Sequence, residues 1–255
     1  QDLYRKVRSI LNKLTPQKFD TLIQQVHDLS IDTEEKLKGC IKLIFEKAIG
    51  EPSYSIAYAQ MAKSLNNLRV HMDEQPSETV TFRKLLLNQC QKEFEKDKLE
   101  EIDLEKMTLQ IEQSTSEKEK LQLTEAKQQA ENVAKRRSIG NIRFIGELYK
   151  LKMLTDNIMF ECINRLLKYS NDEDNVECLC RLLITIGFDL DNANPLSKQR
   201  LNQTFEELKS ISYSKSISSR IKFMIQDVLE LRENDWVPRR EDTQPKLIEQ
   251  IHKEA

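Results

Sequence analysis

The chain has 255 residues, with Gly (5) and Pro (6) together making only about 4% of them. Sheets depend on tight turns and turns on those two residues, so a sandwich, a barrel or a doubly wound α/β domain is excluded and the chain is expected to be nearly all helix. The 40 basic and 42 acidic residues leave a net charge of −2. The charge as a whole therefore points to no partner, and any nucleic-acid signal has to come from local clustering.

Apolar residues recur at helical spacing from the start: Leu3, Val7, Ile10, Leu11 and Leu14 form one stripe, closed by Thr15-Pro16, an N-cap and first-turn pair that opens the next helix. A second stripe runs through Phe19, Leu22, Ile23, Val26 and Leu29. Asp32-x-x-Glu35 reads as a capping box for a third helix holding Leu37, Ile41, Ile44, Phe45 and Ala48, ended by Gly50-Glu51-Pro52. A fourth helix is expected to about Leu68, then a polar loop over 70–77, then a fifth helix marked by Phe82, Leu85, Leu86 and Phe94.

The pattern resumes at Ile139, Ile142, Ile145 and Leu148, and continues through Met159 to Leu166, Val176 to Leu183, Leu201 to Leu208 and Ile217 to Val228, with Asn194-Pro195 as a further cap. About ten helices in five consecutive pairs of roughly 35–40 residues predict an all-α fold, an α-solenoid of HEAT-type antiparallel pairs over 1–232. A single helical bundle is the competing arrangement. Between Glu95 and Ala134 there is no aromatic, Gly or Pro and the charges crowd, so 95–134 is expected as a flexible charged insertion inside the third pair, able to form fluctuating helix because Lys, Glu, Gln and Leu favour it. The tail 233–255 holds the only Trp, Trp236, and is expected to be extended and packed on the last repeat.

No catalytic constellation, phosphate loop or metal-ligand spacing occurs. Cys178 and Cys180 diverge around a helix and cannot share an ion, and His27, His71 and His252 lie in unrelated segments. The paired Glu34-Glu35 and Glu206-Glu207 read as solvated faces. Five cysteines on apolar faces suit a reducing compartment, and no run is apolar enough for a membrane span or a signal peptide, so a cytoplasmic non-enzyme without cofactor is expected.

One cluster stands out. Lys135, Arg136, Arg137, Arg143, Lys150 and Lys152 face Glu147 alone, a net charge of +5 over 135–152. Arg136, Arg143 and Lys150 recur every seven residues, a ridge suited to a phosphate backbone or to neutralising the acidic insertion before it. Tyr54 and Tyr58 follow Pro52 next to Glu46, Lys47 and Glu51, either as charge-rimmed binding anchors or as packing within the helix pair. Arg220, Lys222, Asp227, Glu230 and Arg232 lie on the polar side of the last long helix and by themselves read as a solvated face.

Several runs resemble the middle domain of eukaryotic translation initiation factor 4 gamma. They include Arg8–Pro16, Leu43–Ile49 with Glu51-Pro52, Phe82–Asn88, Gln91–Asp97, Arg136–Leu148, Ser218–Asp227, Trp236–Arg240 and Ile248–Ala255. The resemblance covers nearly the whole chain. It implies a crescent of five HEAT-type pairs and a non-enzymatic scaffold that binds and stimulates the DEAD-box RNA helicase initiation factor 4A and contacts RNA and initiation factor 3. It places one helicase lobe at Glu46, Glu51, Tyr54 and Tyr58, and the other at Arg220, Lys222, Phe223 and Asp227. The family's cap-binding-protein motif has only a near match, Tyr149 to Leu154 followed by the polar Thr155, so that partner is not expected. Gln244 stands where the family usually has Gly. A diverged relative, or a HEAT-type messenger RNA adaptor that binds RNA without activating the helicase, is the alternative.

Overall fold

A computed structural model describes residues 2–14, 18–73, 77–114 and 116–237. Thr15-Pro16 and the tail beyond Val237, with Gln244, lie outside the described residues. Among those described the chain is all-α, with ten α-helices and one short β-ribbon. It divides into two compact units, 1–162 and 163–255.

The N-terminal unit contains α1 (Asp2–Asn12), α2 (Phe19–His27), α3 (Glu34–Gly50), a 3-10 turn (Pro52–Tyr54), α4 (Ser55–Ser64), β1 (Arg69–His71), β2 (Thr79–Thr81), α5 (Phe82–Gln113) and α6 (Glu117–Lys150). Helix α3 packs against α1, α4, α5 and α6. Its Leu37, Ile41, Ile44, Phe45 and Ala48 are all buried, as their spacing predicts. Phe45 meets Phe144 of α6 edge to face, with ring centroids 4.9 Å apart. A Cβ added at Gly140 would lie 2.5 Å from the Ile49 carbonyl oxygen, so only glycine allows α6 to come this close to α3.

Local details depart from expectation in three places. The cap of α3 is Thr33, whose hydroxyl accepts the Lys36 N–H, while Asp32 pairs with the Lys36 ammonium at 2.6 Å. Thr33 is bridged to His71, and that pairing suits the extended backbone an N-cap requires. The expected polar loop includes part of an antiparallel ribbon, in which the buried Val70 and Val80 pair directly. Helix α4 accordingly ends at Ser64, short of Leu68.

The third departure is larger. The segment 95–134, expected as an insertion without a fixed path, is helical on both sides of residue 115, as the outer parts of α5 and α6. No described residue between Leu99 and Ala134 is buried. A narrow seam at spacings of three, four and seven remains, with half-buried Leu104, Met107 and Ile111 on α5 and Leu123, Ala130 and Ala134 on α6. Lys, Glu, Gln and Leu favour helix, and i,i+4 pairs such as Lys127–Glu131 at 3.1 Å add a few tenths of a kcal/mol each.

Helix α7 (Asp156–Lys168) leads into the C-terminal unit, which holds α8 (Glu173–Ala193), α9 (Pro195–Ser212) and α10 (Ser219–Glu233). Asn194 caps α9 by accepting the Ser197 N–H at 2.9 Å, with Pro195 in the first turn, as Asn194-Pro195 predicts. The three helices are tied together beyond the end of α10. Asp235 and Trp236 adopt positive φ, and the Trp236 N–H returns to the Leu231 carbonyl at 2.8 Å. The indole then lies against Gly187 of α8, where any Cβ would collide with it, and meets Phe205 of α9 edge-on. Its Nε1–H donates to Asp191 at 3.0 Å, while Arg232 grips both Asp191 oxygens at 2.9 Å and stacks over Phe205.

The Arg232 guanidinium outweighs the opposing effect of burial and, with a further contribution from the indole N–H, holds the Asp191 carboxyl below its ordinary value. A carboxylate depressed by folding contributes stability above its unfolded pKa and loses it as pH falls through the folded value. The fluorescence of Trp236, the only tryptophan, should therefore stay constant through mildly acidic pH and change only below the usual aspartate range. Asp191→Asn should remove that transition and lower stability by about 1–3 kcal/mol in urea titration.

Candidate partner-binding surfaces

In the N-terminal unit the turn after α3 is set by one carboxylate. Glu51 accepts Lys47 Nζ at 2.6 Å through one oxygen and the Tyr58 hydroxyl at 2.6 Å through the other. Lys47, then Tyr58, hold the Glu51 carboxyl below its ordinary value. Burial and the neighbouring carboxylate push the Tyr58 phenol well up. Tyr58 is only 1% exposed, so it is a packing residue and not a free anchor. Tyr54, at 48% exposure, projects from the 3-10 turn. Glu46 is exposed and lies 3.9 Å from Lys42. Ile56 is also exposed beside Tyr54, a neighbour the sequence reading missed. The period could have shown it, because Ile56 falls off the buried Ser55-Tyr58-Ala59-Ala62 stripe.

The basic cluster on α6 divides in two. Arg136 and Lys150 are exposed and Arg143 is partly exposed, and none of the three is drawn into a hydrogen bond among the described residues. Arg137 is engaged inside the α5–α6 hairpin. Its guanidinium pairs with Glu93, and with Asp97 and Glu100 at 3.5 Å each. Glu93, Asp97 and Glu100 recur at i, i+4 and i+7, so one face of α5 presents three carboxylates to one cation. That spacing is legible in the sequence, although its partner 37–44 residues away is not. Lys152 has positive φ and lies 6.0 Å from the Tyr149 ring centroid. Lys135 and Lys152 both interact within the fold. Glu147 sits on the ridge between Arg143 and Lys150, and burial raises its carboxyl. Tyr149 and Leu154 of the near-match motif are both buried.

The C-terminal unit carries a third surface. Arg220, Phe223 and Asp227 follow one stripe of α10, and all three are exposed. Phe223 is 71% exposed and takes no part in the core. Arg220 reaches Glu177 of α8 at 2.7 Å, and Arg181 meets the same carboxylate at 2.9 Å. The Arg220 contact, the larger of the two, holds Glu177 below its ordinary value. Lys222 lies on the other flank of α10, so it does not join this stripe. Glu173 accepts the Ser218 N–H at 2.6 Å and steadies the start of α10.

All five cysteines are buried thiols outside any disulfide, and burial pushes Cys40 up to about 11 and Cys90 and Cys180 up to about 12. Among the described residues no group of His, Cys, Asp and Glu is placed to hold a metal, and no helix is long and apolar enough to cross a membrane.

The family model that matches the chain is the MIF4G domain, over residues 4–235. The chain is 57% identical over its full length to eukaryotic translation initiation factor 4 gamma 1 of Mus musculus and 56% identical to factor 4 gamma 3 of Homo sapiens. It is 44% identical, over 98% of its length, to factor 4G of Triticum aestivum. In each case it spans 16% of the relative's length. Among solved structures, the MIF4G domain of Trypanosoma cruzi translation initiation factor EIF4G5 shares the fold at a TM-score of 0.56 and 18% identity, covering 92% of this chain and 97% of that one.

The split within the basic cluster can be tested by stability. Arg137→Met removes the cation that Glu93, Asp97 and Glu100 share and should cost about 3 kcal/mol, whereas Arg136→Met should stay within about 0.5 kcal/mol, both read from urea midpoints.

Proposed function

The chain belongs to the MIF4G-domain family and is related over its whole length to the eukaryotic translation initiation factors 4 gamma, and from that membership we propose that it is a non-enzymatic scaffold of translation initiation. It binds and stimulates the DEAD-box RNA helicase initiation factor 4A, contacts messenger RNA, and belongs to the cytoplasmic machinery that includes initiation factor 3. The observation that carries this reading is a pair of exposed aromatic side chains rimmed by charge, one on each unit. Tyr54 is exposed in the turn after α3, as are Glu46 in the last turns of α3 and Ile56 at the start of α4, and Phe223 lies between Arg220 and Asp227 on one stripe of α10. Large aromatics flanked by charged residues are the composition of interface anchors.

Two contacts on one chain act through linkage. A helicase with two mobile lobes is shifted toward whichever arrangement lets both contacts form, because the second contact forms at high effective concentration. Stimulation requires that this arrangement bind more tightly than the open one, since equal affinity would shift nothing. In this reading residues 1–232 form the binding domain and 233–255 its tail, a boundary supported by the seat of Trp236 on α8 and α9. Arg136, Arg143 and Lys150 offer phosphate contacts, while Arg137 is spent on the hairpin.

Titrating the chain into the helicase with saturating RNA should raise ATP turnover to a plateau, and Tyr54→Ala with Arg220→Glu should abolish the rise. Tight binding with unchanged turnover would favour the alternative, an adaptor that does not activate the helicase. Arg136→Glu with Arg143→Glu should weaken RNA binding at low salt and flatten the slope of log affinity against log salt by about 1–2. An unchanged slope removes the ridge from the RNA contact.

A further inference from the structure

We propose that the partner surface of the C-terminal unit continues from α10 onto α8, where Ile184 and Phe188 supply two further apolar anchors for the same helicase lobe that engages Arg220, Phe223 and Asp227. The inference rests on the helicase reading and deepens it.

The buried stripe of helix α8 does not include these two side chains. Its core stripe already buries Val176, Leu179, Cys180, Leu183, Ile186 and Leu190. Ile184 and Phe188 are 51% and 57% exposed, one helical turn apart. Single apolar residues on a surface are ordinary, but two large ones on one turn, with a third nearby on an adjacent helix, form a patch.

Position identifies the occupant. Glu177, Arg181, Ile184 and Phe188 recur at i, i+4, i+7 and i+11, a single straight stripe along α8. At its head Glu177 pairs with Arg220, which itself heads the Arg220-Phe223-Asp227 stripe of α10. Farther along, Arg232 of α10 pairs with Asp191 of α8. The two helices therefore run in the same direction, side by side, with their exposed stripes adjacent.

Helices in contact lie about 8–10 Å apart, and eleven residues of helix rise about 16 Å, which puts Phe188 within roughly 20 Å of Arg220. A standard footprint of about 800 Å² per partner is roughly 30 Å across. A lobe that grips Arg220 and Phe223 thus has Ile184 and Phe188 within its footprint. The arrangement matches interface anatomy, with apolar anchors inside a rim formed by Arg181, Arg220 and Asp227.

The test measures affinity of the full chain for the intact helicase by fluorescence anisotropy, with sedimentation of the chain alone in parallel. Ile184→Ala with Phe188→Ala should weaken binding about tenfold or more while leaving the thermal transition unchanged, and Ile184→Thr with Phe188→Gln should do the same. If either pair leaves affinity intact while Phe223→Ala weakens it, the extension onto α8 is wrong and the helicase reading stands. If the unaltered chain does not bind helicase at all, that reading falls and takes this one with it. If the chain self-associates and the double variant loses only that, the occupant is a second copy and the proposal is overturned.

Discussion

In the N-terminal unit the close approach of α6 to α3 fixes where the side chains proposed to meet partners lie. Gly140 lets α6 close against the Ile49 carbonyl, and Phe45 and Phe144 lock the contact edge to face. Because α3 ends at this crossing, the turn after it is held at a defined place, with Glu51 fixed between Lys47 and Tyr58 and Tyr54 left outside. The same helix that makes the crossing carries Arg136 and Arg143 on its open face and, at the residue next to Arg136 and about 100° around the axis, Arg137 on the hairpin side. One tight helix–helix contact thereby positions both an aromatic anchor and a basic ridge.

The C-terminal unit solves the same problem with a part-buried ion pair. Asp191 is held by Arg232 and Trp236, and the indole spans α8 and α9 from the end of α10. Such a pair is costly to desolvate, but it is directional, and a bidentate guanidinium with an indole N–H tolerates little rotation. The result is a defined register between α8 and α10. That register is what sets Arg220 against Glu177 and brings two exposed stripes side by side.

Both units leave large and charged side chains exposed on faces the core does not need. Glu51, Tyr58 and Arg137 shape the surfaces from within and would disturb any partner indirectly if altered. Tyr54, Phe223, Arg136 and Arg143 can be altered with little effect on folding. Mutational data on this domain are readable only when those two groups are kept apart, because loss of binding from the first group reports on stability.

Much was legible in the sequence because helical periodicity is a local property. The stripes of α1, α3, α5 and α8, the Asn194-Pro195 cap and the pairwise succession of helices all come from spacing within one segment. Spacing cannot say which neighbour covers a face. Whether Tyr54 or Tyr58 is the exposed ring depends on Glu51, and whether Arg136 or Arg137 is free depends on three carboxylates about 40 residues earlier. Thr33 rather than Asp32 became the cap, at a residue bridged to His71 far along the chain. Ile184 and Phe188 drew no notice, since an apolar residue counts toward burial until the packing leaves it outside. Local propensity determined the helices; long-range packing, which decides which polar groups must be satisfied inside, determined which faces remain for partners.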